Sequence, residues 1–402
     1  MHHFDPSIEI QDYLVFGEYG DVNPSITDSS TYTFLNPNTM KELFEQEVEG
    51  CFLYSRHWNP TNKYLAEALA KLEDAEAAIV TGSGMSAIAC SVLQLCGCGD
   101  EIISSRTIYG GTYAFFKNFL PRHGINVKFI NMNDLDAVKS AITDKTKIIY
   151  TEAVSNPLLE IANLPELGKL ADQNNIKLMV DNTFSPIFIS PLHLGAHIVI
   201  HSLTKFINGT SDCVAGCVCS TKEFICQLMD INSGAAMLLG PVLDSHRAAS
   251  ILKNLHSLHI RVEKHSKNAQ YLAENLEKLG LRVFYPGLKS HKGHTLVTEL
   301  MNDGFGYGGM LAIDAGDAET ADKLMAEMQL AKVGYLAVSL GYFKTLFSSP
   351  GHSTSSEIPE EERKQMGLSE GLVRISIGLD NNIEKTYFRI KKCLLGAGLI
   401  KE

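Results

Sequence analysis

Short apolar runs alternate with amphipathic segments along the chain from about residue 51 onward. In the segment NKYLAEALAKLEDAE, Leu65, Leu69 and Leu72 recur at helical spacing, which predicts a helix with one buried face. The continuous apolar runs predict strands that are buried on both faces. They are AAIVT, DEIISS, NVKFINM, TKIIYTEA, IKLMVDN and AHIVIHS. Strands of this kind separated by helices predict an α/β fold with a mostly parallel sheet.

The residue pattern differs before and after this alternating region. Residues 1–50 are rich in turn formers and predict an N-terminal arm, and residues 51–245 form the predicted large α/β domain. Beyond it, a long helical run precedes short strands such as LRVFYP, GGMLAID and LVRISIG. This pattern predicts a smaller α+β C-terminal domain over residues 246–402.

Charge and cysteine usage narrow the class of protein. The 402 residues carry 35 Lys and Arg against 46 Asp and Glu, a net charge of −11, which argues against nucleic acid or an anionic membrane as a partner. The N-terminus has no signal-peptide pattern, and the most apolar helical stretch is shorter than the roughly 20 residues of a membrane span. Nine scattered cysteines indicate a reducing, cytoplasmic location. The cluster at Cys213, Cys217 and Cys219 lacks metal-ligand spacing and is predicted to be buried strand, so no metal site is expected.

Polar residues stand where four of the predicted strands end. They are residues 82–85 in TGSGM, Asn156 after TKIIYTEA, Asp181 after IKLMV, and residues 202–205 after HIVI. The carboxyl ends of parallel strands meet at one edge of a sheet, where ligands of such folds bind. We therefore expect these residues to lie together.

Each cluster has an ordinary and a chemical interpretation. Gly84 could start a common helix, or its helix N-terminus could bind a phosphate. Asp181 could cap a turn, or it could keep a ring nitrogen protonated. Lys205 could be a surface lysine, or in a dry site its amine could form a Schiff base. Alternation along an extended chain would place the hydroxyls of Ser202 and Thr204 together, with Lys205 turned away from them. Phosphate cradle, pyridinium partner and Schiff-base lysine together indicate pyridoxal 5′-phosphate (PLP).

The motifs around these residues resemble those of the Cys/Met-metabolism PLP-dependent enzymes, the trans-sulfuration enzymes. They are YSRHWNPT, TGSGMSAI, RTIYGGTYAFF, VDNTFSP, HSLTKFINGTSDCVAG and VRISIGLD. Further stretches are most similar to the methionine γ-lyase branch, namely MLLGP, YPGLKSH, GYGGMLAID, AVSLGYFKTL and STSSE. The resemblance implies the PLP-dependent transferase-like fold (aspartate aminotransferase fold type I).

The resemblance also implies a role for each matching residue. Lys205 would hold PLP and move protons, and Tyr109 would stack on the cofactor ring and act as acid–base toward the leaving sulfur. The remaining cofactor contacts would come from Tyr54 and Arg56 of a neighbouring subunit, and from Gly84, Met85, Asp181, Ser202 and Thr204. The substrate would be bound by Arg374, with Asn156 and Ser339 nearby.

Two residues depart from the common family pattern. Many methionine γ-lyases carry a cysteine where this chain has Gly111, and smaller residues are frequent where it has Trp58. The first departure weakens the assignment of methionine as the substrate but leaves the PLP chemistry untouched. The second is interpreted as packing rather than as part of the pocket.

The sequence thus predicts a PLP-dependent carbon–sulfur lyase that eliminates methanethiol from L-methionine. The resemblance implies a homotetramer built from two active dimers. Alternatives within the family are a cystathionine β- or γ-lyase, and a γ-replacement enzyme such as cystathionine γ-synthase or O-acylhomoserine sulfhydrylase. An alternative of another class is a non-catalytic PLP-binding protein, which the acidic charge and the absence of an added DNA-binding segment disfavour.

Overall fold

The computed structural model describes residues 4–45, 48, 50–352 and 367–401, so the STSSE stretch lies outside the described residues. The α-helices are α1 Pro6–Asp12, α2 Pro37–Glu45, α3 Pro60–Glu73, α4 Gly84–Leu95, α5 Gly110–Ala114, α6 Leu135–Ala141, α7 Leu164–Gln173, α8 Lys222–Met229, α9 Ala235–Leu239, α10 Ser245–Leu255, α11 Leu258–Lys278, α12 His294–Leu300, α13 Ala318–Leu330 and α14 Ile383–Ala397. The strands are β1 Ala77–Thr81, β2 Glu101–Ser105, β3 Asn126–Ile130, β4 Thr146–Glu152, β5 Lys177–Asp181, β6 Ile198–Ser202, β7 Gly216–Ser220, β8 Arg282–Phe284, β9 Met310–Asp314, β10 Gly334–Leu336, β11 Thr345–Ser348 and β12 Leu372–Ser376.

The first seven strands form one sheet in the order β1-β7-β6-β5-β4-β2-β3. Strands β3, β2, β4, β5 and β6 pair in parallel, and β7 runs antiparallel between β6 and β1. Since β1 is antiparallel to β7, its carboxyl end lies at the same edge as that of β6. The predicted mostly parallel sheet is confirmed, and each predicted strand of this region is present.

The two faces of this sheet are covered by different helices, because successive side chains of a strand point to opposite faces. On one face, residues such as Val180 and Val199 pack in a core with α3, α7 and α10. On the other face, residues such as Met179 and Ile200 pack in a second core with α4 and α8. Both faces are apolar, which explains the continuous apolar runs in the sequence.

A second sheet of five strands follows in the order β10-β11-β12-β9-β8. All its neighbours are antiparallel except β10 and β11, which pair in parallel. Val373 and Ile375 of β12 pack in a core with α11, α13 and α14, so Arg374 between them lies on the other face.

Several elements differ from the expectation. The predicted long helical run is two helices, α10 and α11, separated at His256–Ser257. Strands β10 and β11 were not predicted, because they are short and β10 is half exposed. The N-terminal arm contains the short helices α1 and α2. In the part of the chain that the structure describes, no helix is both long and apolar enough to span a bilayer.

Candidate active site

The carboxyl ends of β1, β4, β5 and β6 border a cavity of about 250 Å³. It contains most of the residues that the sequence singled out. The predicted residues in its wall are Gly84, Met85, Tyr109, Asn156, Asp181, Ser202, Thr204, Lys205 and Arg374. The residues that follow β1, β4, β5 and β6 therefore meet at one edge of the sheet, as their places at strand ends predicted, and Arg374 joins them from β12 of the second sheet.

The start of α4 forms one end of this cavity. Ser83 caps the helix: its hydroxyl accepts a hydrogen bond from the N–H of Ser86 at 3.0 Å, and the Ser86 hydroxyl accepts one from the N–H of Ser83. The N–H groups of Gly84 and Met85 have no hydrogen-bond partner within the described residues. A Cβ atom on Gly84 would lie 2.9 Å from Cβ of Ser202, so only glycine allows this close approach. The helix thus offers two N–H donors and a positive dipole end to an anion.

The segment that carries the lysine leaves the extended conformation directly after β6. Lys205 N donates to the carbonyl of Ser202 at 3.2 Å, so residues 202–205 form a turn rather than a continued strand. Ser202 and Thr204 therefore do not alternate along an extended chain as predicted, although both residues line the cavity. The Thr204 hydroxyl donates to the carbonyl of Ala215 at 3.2 Å and accepts from its N–H at 3.0 Å.

The amine of Lys205 is largely buried, and its hydrogen-bond partner is a neutral hydroxyl. Nζ donates to Oγ of Ser339 at 3.3 Å. Burial, together with the positive charge of Arg374, lowers the pKa of Lys205 to about 8. A lysine with a lowered pKa has a larger neutral fraction near neutral pH than an ordinary lysine, and the neutral amine is the form that attacks an aldehyde. Ser339 is absent from the cavity wall but contacts the lysine directly.

Asp181 ends β5 on the cavity face of the sheet. One carboxylate oxygen accepts the N–H of Thr183 at 2.9 Å, and the other accepts the hydroxyl of Tyr150 at 3.5 Å. Burial raises the pKa of Asp181, and the hydrogen bonds from Thr183 oppose that shift. A cationic group in the cavity would favour the carboxylate form further.

Arg374 projects from β12 and is only 3% exposed. Its guanidinium donates to Oδ1 of Asn156 at 3.0 Å and to the hydroxyl of Ser348 at 3.5 Å. None of the described carboxylates lies within 4.0 Å of it, and burial lowers the pKa of Arg374 to about 10. Since a buried charge without a counter-ion is costly, this guanidinium is suited to binding an anion.

Tyr109 stands at the start of α5 and is 40% exposed at the mouth of the cavity. Its ring lies over Gly111: a Cβ atom added there would lie 2.5 Å from Cε1 and 3.0 Å from Cζ of the ring. The glycine that replaces the common cysteine at position 111 therefore allows the Tyr109 ring to lie where it does, because any side chain at this position would displace the tyrosine.

Glu152 lies in the cavity wall, although the sequence did not predict it as a site residue. It ends β4, pairs in register with Asp181 and is 6% exposed. Burial, and then the neighbouring Asp181, raise the pKa of Glu152. An acidic residue at the end of an apolar strand is usually exposed to solvent. The segment TKIIYTEA therefore contains no pattern that would identify Glu152 as a buried site residue.

Tyr54, Arg56 and Trp58 lie outside this cavity. Tyr54 and Arg56 are exposed, and the guanidinium lies 5.7 Å from the centre of the Tyr54 ring. Arg56 also donates to the carbonyl of Met237 at 3.5 Å. Trp58 is partly buried and packs against both cores of the large sheet. In one subunit, therefore, the YSR segment does not meet the other predicted cofactor residues.

The donor set of the cavity fits PLP. Two helix N–H groups and the hydroxyl of Ser202 suit a phosphate, the carboxylate of Asp181 suits a ring nitrogen, and the amine of Lys205 suits an aldehyde. The described residues contain no group of three or more His, Cys, Asp or Glu that could hold a metal ion.

Comparison with known proteins gives a consistent result. A model of the Cys/Met metabolism PLP-dependent enzymes matches residues 12–385. Methionine γ-lyase of Arabidopsis thaliana is 42% identical over 386 residues, which cover 94% of this chain and 88% of that protein. Cystathionine γ-lyase of Dictyostelium discoideum is 34% identical over 361 residues, 88% of this chain and 91% of the relative.

A solved structure from Campylobacter jejuni subsp. jejuni extends the likeness to the whole fold. It is described as an O-acetylhomoserine (thiol)-lyase and carries a pyridoxyl-lysine phosphate. It superimposes with a TM-score of 0.90 at 27% identity and covers 98% of this chain and 100% of its own. The predicted fold class is thereby confirmed.

Proposed function

This chain belongs to the Cys/Met metabolism PLP-dependent enzymes, and we propose that it acts within that family as a carbon–sulfur lyase on L-methionine. The predicted membership and the predicted cofactor, PLP, are both confirmed. The proposed reaction is γ-elimination, in which methionine and water give methanethiol, 2-oxobutanoate and ammonia.

The observation that carries methionine as the substrate is the distribution of charge in the cavity. The buried Arg374 provides a binding site for one carboxylate. The exposed part of the wall, in contrast, contains the apolar side chains of Val214 and Val338, and the buried Leu340 also lines the cavity. A thioether with an uncharged end fits this lining. Cystathionine would place a second ammonium and a second carboxylate at the cavity mouth, where these apolar side chains cannot pair with either charge.

PLP, when bound, supplies an electron sink for bond breaking next to the amino group of the substrate. In our proposal Lys205 holds the cofactor and, once the substrate has replaced it, takes the proton from the substrate Cα. The lowered pKa of Lys205, about 8, suits an amine that accepts and returns protons near neutral pH.

The other residues of the cavity would bind and orient. Gly84, Met85, Ser202 and Thr204 would hold the phosphate, and Asp181 would hold the ring nitrogen. Arg374, with Asn156 and Ser339, would bind the substrate carboxylate through a forked contact. Tyr109 would face the cofactor ring and give a proton to the leaving sulfur.

The exposed positions of Tyr54 and Arg56 support a second part of the proposal, that they complete the cavity of a neighbouring subunit. The N-terminal arm has large apolar side chains on its surface, among them Phe16 at 70% and Leu35 at 104% exposure, which is typical of an interface. A homotetramer built from two active dimers would bury such residues. The nine free cysteines support a cytoplasmic location.

A substrate panel tests this function. Purified holoenzyme is given L-methionine, L-cystathionine, or an O-acylhomoserine with a thiol, and 2-oxo acid and thiol are measured. We expect 2-oxobutanoate and methanethiol from methionine in equal amounts. Turnover of cystathionine alone, or replacement without 2-oxo acid, would assign the chain to another activity of the family. Bound PLP without turnover of any of the three would indicate a non-catalytic protein.

Mixing inactive variants tests the shared site. Lys205→Ala and Arg56→Ala homo-oligomers should each be almost inactive, while hybrid dimers that form after subunit exchange should contain one intact cavity. Recovery of about a quarter of wild-type activity would support the neighbouring-subunit role. An active Arg56→Ala enzyme with unchanged affinity for PLP would contradict it.

A further inference from the structure

Glu152 connects two loops that carry predicted functional residues. Its Oε1 accepts the N–H of Tyr109 at 2.7 Å, and its Oε2 accepts the N–H of Asn156 at 2.7 Å. Tyr109 follows strand β2 and directly precedes α5, whereas Asn156 follows β4. The carboxylate therefore ties the backbones of two separate strand-to-helix connections at one point.

This double contact requires a carboxylate. Each of the two oxygens is an acceptor, and the N–H groups of Tyr109 and Asn156 favour the ionised form, so they oppose the rise in pKa that burial and Asp181 cause. Hydrogen bonds to an ionised acceptor are about twice as strong as neutral ones. A glutamine of the same shape has one acceptor oxygen, and its NH₂ group would face an N–H donor at the other position. Glutamine can therefore hold Tyr109 or Asn156, but it cannot hold both.

The contact at Asn156 extends to the substrate-binding arginine. Oδ1 of Asn156 accepts Nη1 of Arg374 at 3.0 Å, and the backbone N–H of the same residue is held by Glu152. A shift of this backbone would therefore move the amide oxygen that orients the guanidinium. At the other end, a shift at Tyr109 would move the ring that lies over Gly111 at the cavity mouth.

We propose that Glu152 is a positioning residue, which sets the placement of Tyr109 relative to Arg374 by holding the Tyr109 and Asn156 backbones with its two oxygens. This inference rests on the proposed function of the cavity, since Tyr109 would face PLP and Arg374 would bind the substrate carboxylate. Glu152 itself need not touch either molecule.

The test compares Glu152→Gln with Glu101→Gln in the holoenzyme. Glu101 begins β2 at the opposite edge of the same sheet, and its carboxylate accepts hydrogen bonds from Lys128 and Thr143. The control thus removes a bonded carboxylate far from the cavity. For Glu152→Gln we expect KM for methionine to rise about ten-fold, because the substitution removes about the free energy of one charged hydrogen bond. We also expect a weaker visible circular dichroism signal from bound PLP. The control should keep both values within about two-fold.

A purely structural role gives a different result. It would lower the thermal unfolding temperature but leave KM and the dichroism signal of the folded, fully loaded protein unchanged, and this outcome would overturn the proposal. If Glu152→Gln does not fold, Glu152→Asp replaces it in the test. This variant retains two acceptor oxygens on a shorter side chain, so KM and the dichroism signal should change in the same direction but by less. Wild-type constants in Glu152→Asp would then overturn the proposal.

A double-mutant cycle tests the path through the Asn156 side chain. Asn156→Ala keeps its N–H but removes the contact with Arg374, so Glu152→Gln should raise KM much less in that background. Full additivity would contradict the path. The dichroism signal and the dissociation constant of PLP from the apoenzyme do not depend on the substrate. They therefore test Glu152 even if methionine is the wrong substrate.

Discussion

Buried ionisable groups lie on both faces of the seven-stranded sheet, close to the same edge, and the two sets differ in how they are paired. On the α3 face, Nε2 of His201 lies 2.6 Å from Oε1 of Glu73, and both side chains are 1% exposed. Asn182 donates to the same carboxylate oxygen at 3.1 Å. On the cavity face, Arg374 and Lys205 contact only neutral side chains among the described residues.

The difference separates a structural site from a binding site. Charges are costly to bury unless they are paired, and the Glu73–His201 pair supplies its own counter-charges. On the cavity face, none of the carboxylates in the described part of the chain lies at ion-pair distance from Arg374 or Lys205, which suits a site that anionic ligands complete. His201 and Ser202 are consecutive residues of β6, so one strand serves both functions by pointing successive side chains to opposite faces.

The largest effect is expected on the cavity face, from Lys205→Ala. Loss of the amine removes both the proposed attachment of PLP and the proton carrier, so kcat should fall by about 10³-fold or more. The visible absorption spectrum should change to that of cofactor held without a covalent bond. The folded state should be retained, as judged by far-UV circular dichroism. A variant with near-normal turnover would refute the proposed mechanism.

Breaking the pair on the α3 face should affect stability instead. Glu73→Gln leaves the buried His201 without its counter-charge, which we expect to lower the free energy of unfolding by about 3–5 kcal/mol. Chemical denaturation of the apoenzyme measures this change. KM for methionine in the remaining folded protein should stay within about two-fold. A large rise in KM would show that this face also contributes to substrate binding.

Arg374→Lys tests whether substrate binding on the cavity face depends on the guanidinium shape, because it keeps the charge and removes the forked geometry. We expect kcat/KM for methionine to fall about 10²-fold, mainly through KM, since a forked contact to a carboxylate becomes a single one. The unfolding temperature should change little. Equal KM values for the variant and the wild type would exclude this arginine from carboxylate binding.

The pH dependence of stability should report on the α3 face. Burial lowers the pKa of His201, but the charge and hydrogen bond of Glu73 more than offset this and raise it to about 9. The folded protein therefore holds a proton that the unfolded chain loses near pH 6.5, and this contribution to stability disappears as the pH rises from 6.5 through 9. Lys205 has the opposite effect on stability. Because its pKa is lowered to about 8, the folded protein loses a proton above about pH 8 that the unfolded chain still holds, so stability rises with pH in that range. The difference between wild type and His201→Gln isolates the histidine, and a difference independent of pH would contradict the assignment.

The smallest effect is expected from adding a charge at the cavity mouth. Val338→Glu would place a carboxylate beside an uncharged thioether, so kcat/KM for methionine should fall about ten-fold. The same carboxylate could pair with the distal ammonium of cystathionine, so the ratio of the two substrates should shift toward cystathionine. Val338→Leu is the matched control for bulk. An unchanged ratio would mean that the mouth does not select the substrate.

Much of the large sheet could be predicted from local pattern. The runs that became β1 to β6 are mostly apolar because both faces of the sheet are covered, and the polar ends of β4, β5 and β6 lie at one edge because these strands are parallel. Hence Asp181, Lys205 and Gly84 could be placed together without a structure. In contrast, β10 and the break between α10 and α11 have no strong local signal, since no glycine or proline marks the break at His256–Ser257.

The sequence by itself determined where the strands lie, which polar residues follow them and which motif residues are present. The spacing of apolar residues and the residue types are local properties of the chain. The tertiary structure decided the contacts between distant segments. It placed Glu152 between the N–H groups of Tyr109 and Asn156, and it turned the chain after Ser202 so that Thr204 and Lys205 both reach the cavity. It also gave His201 a carboxylate partner, whereas no carboxylate of the described residues lies within 4.0 Å of Arg374. Pairing of this kind depends on which loops meet in space, and no local pattern encodes that.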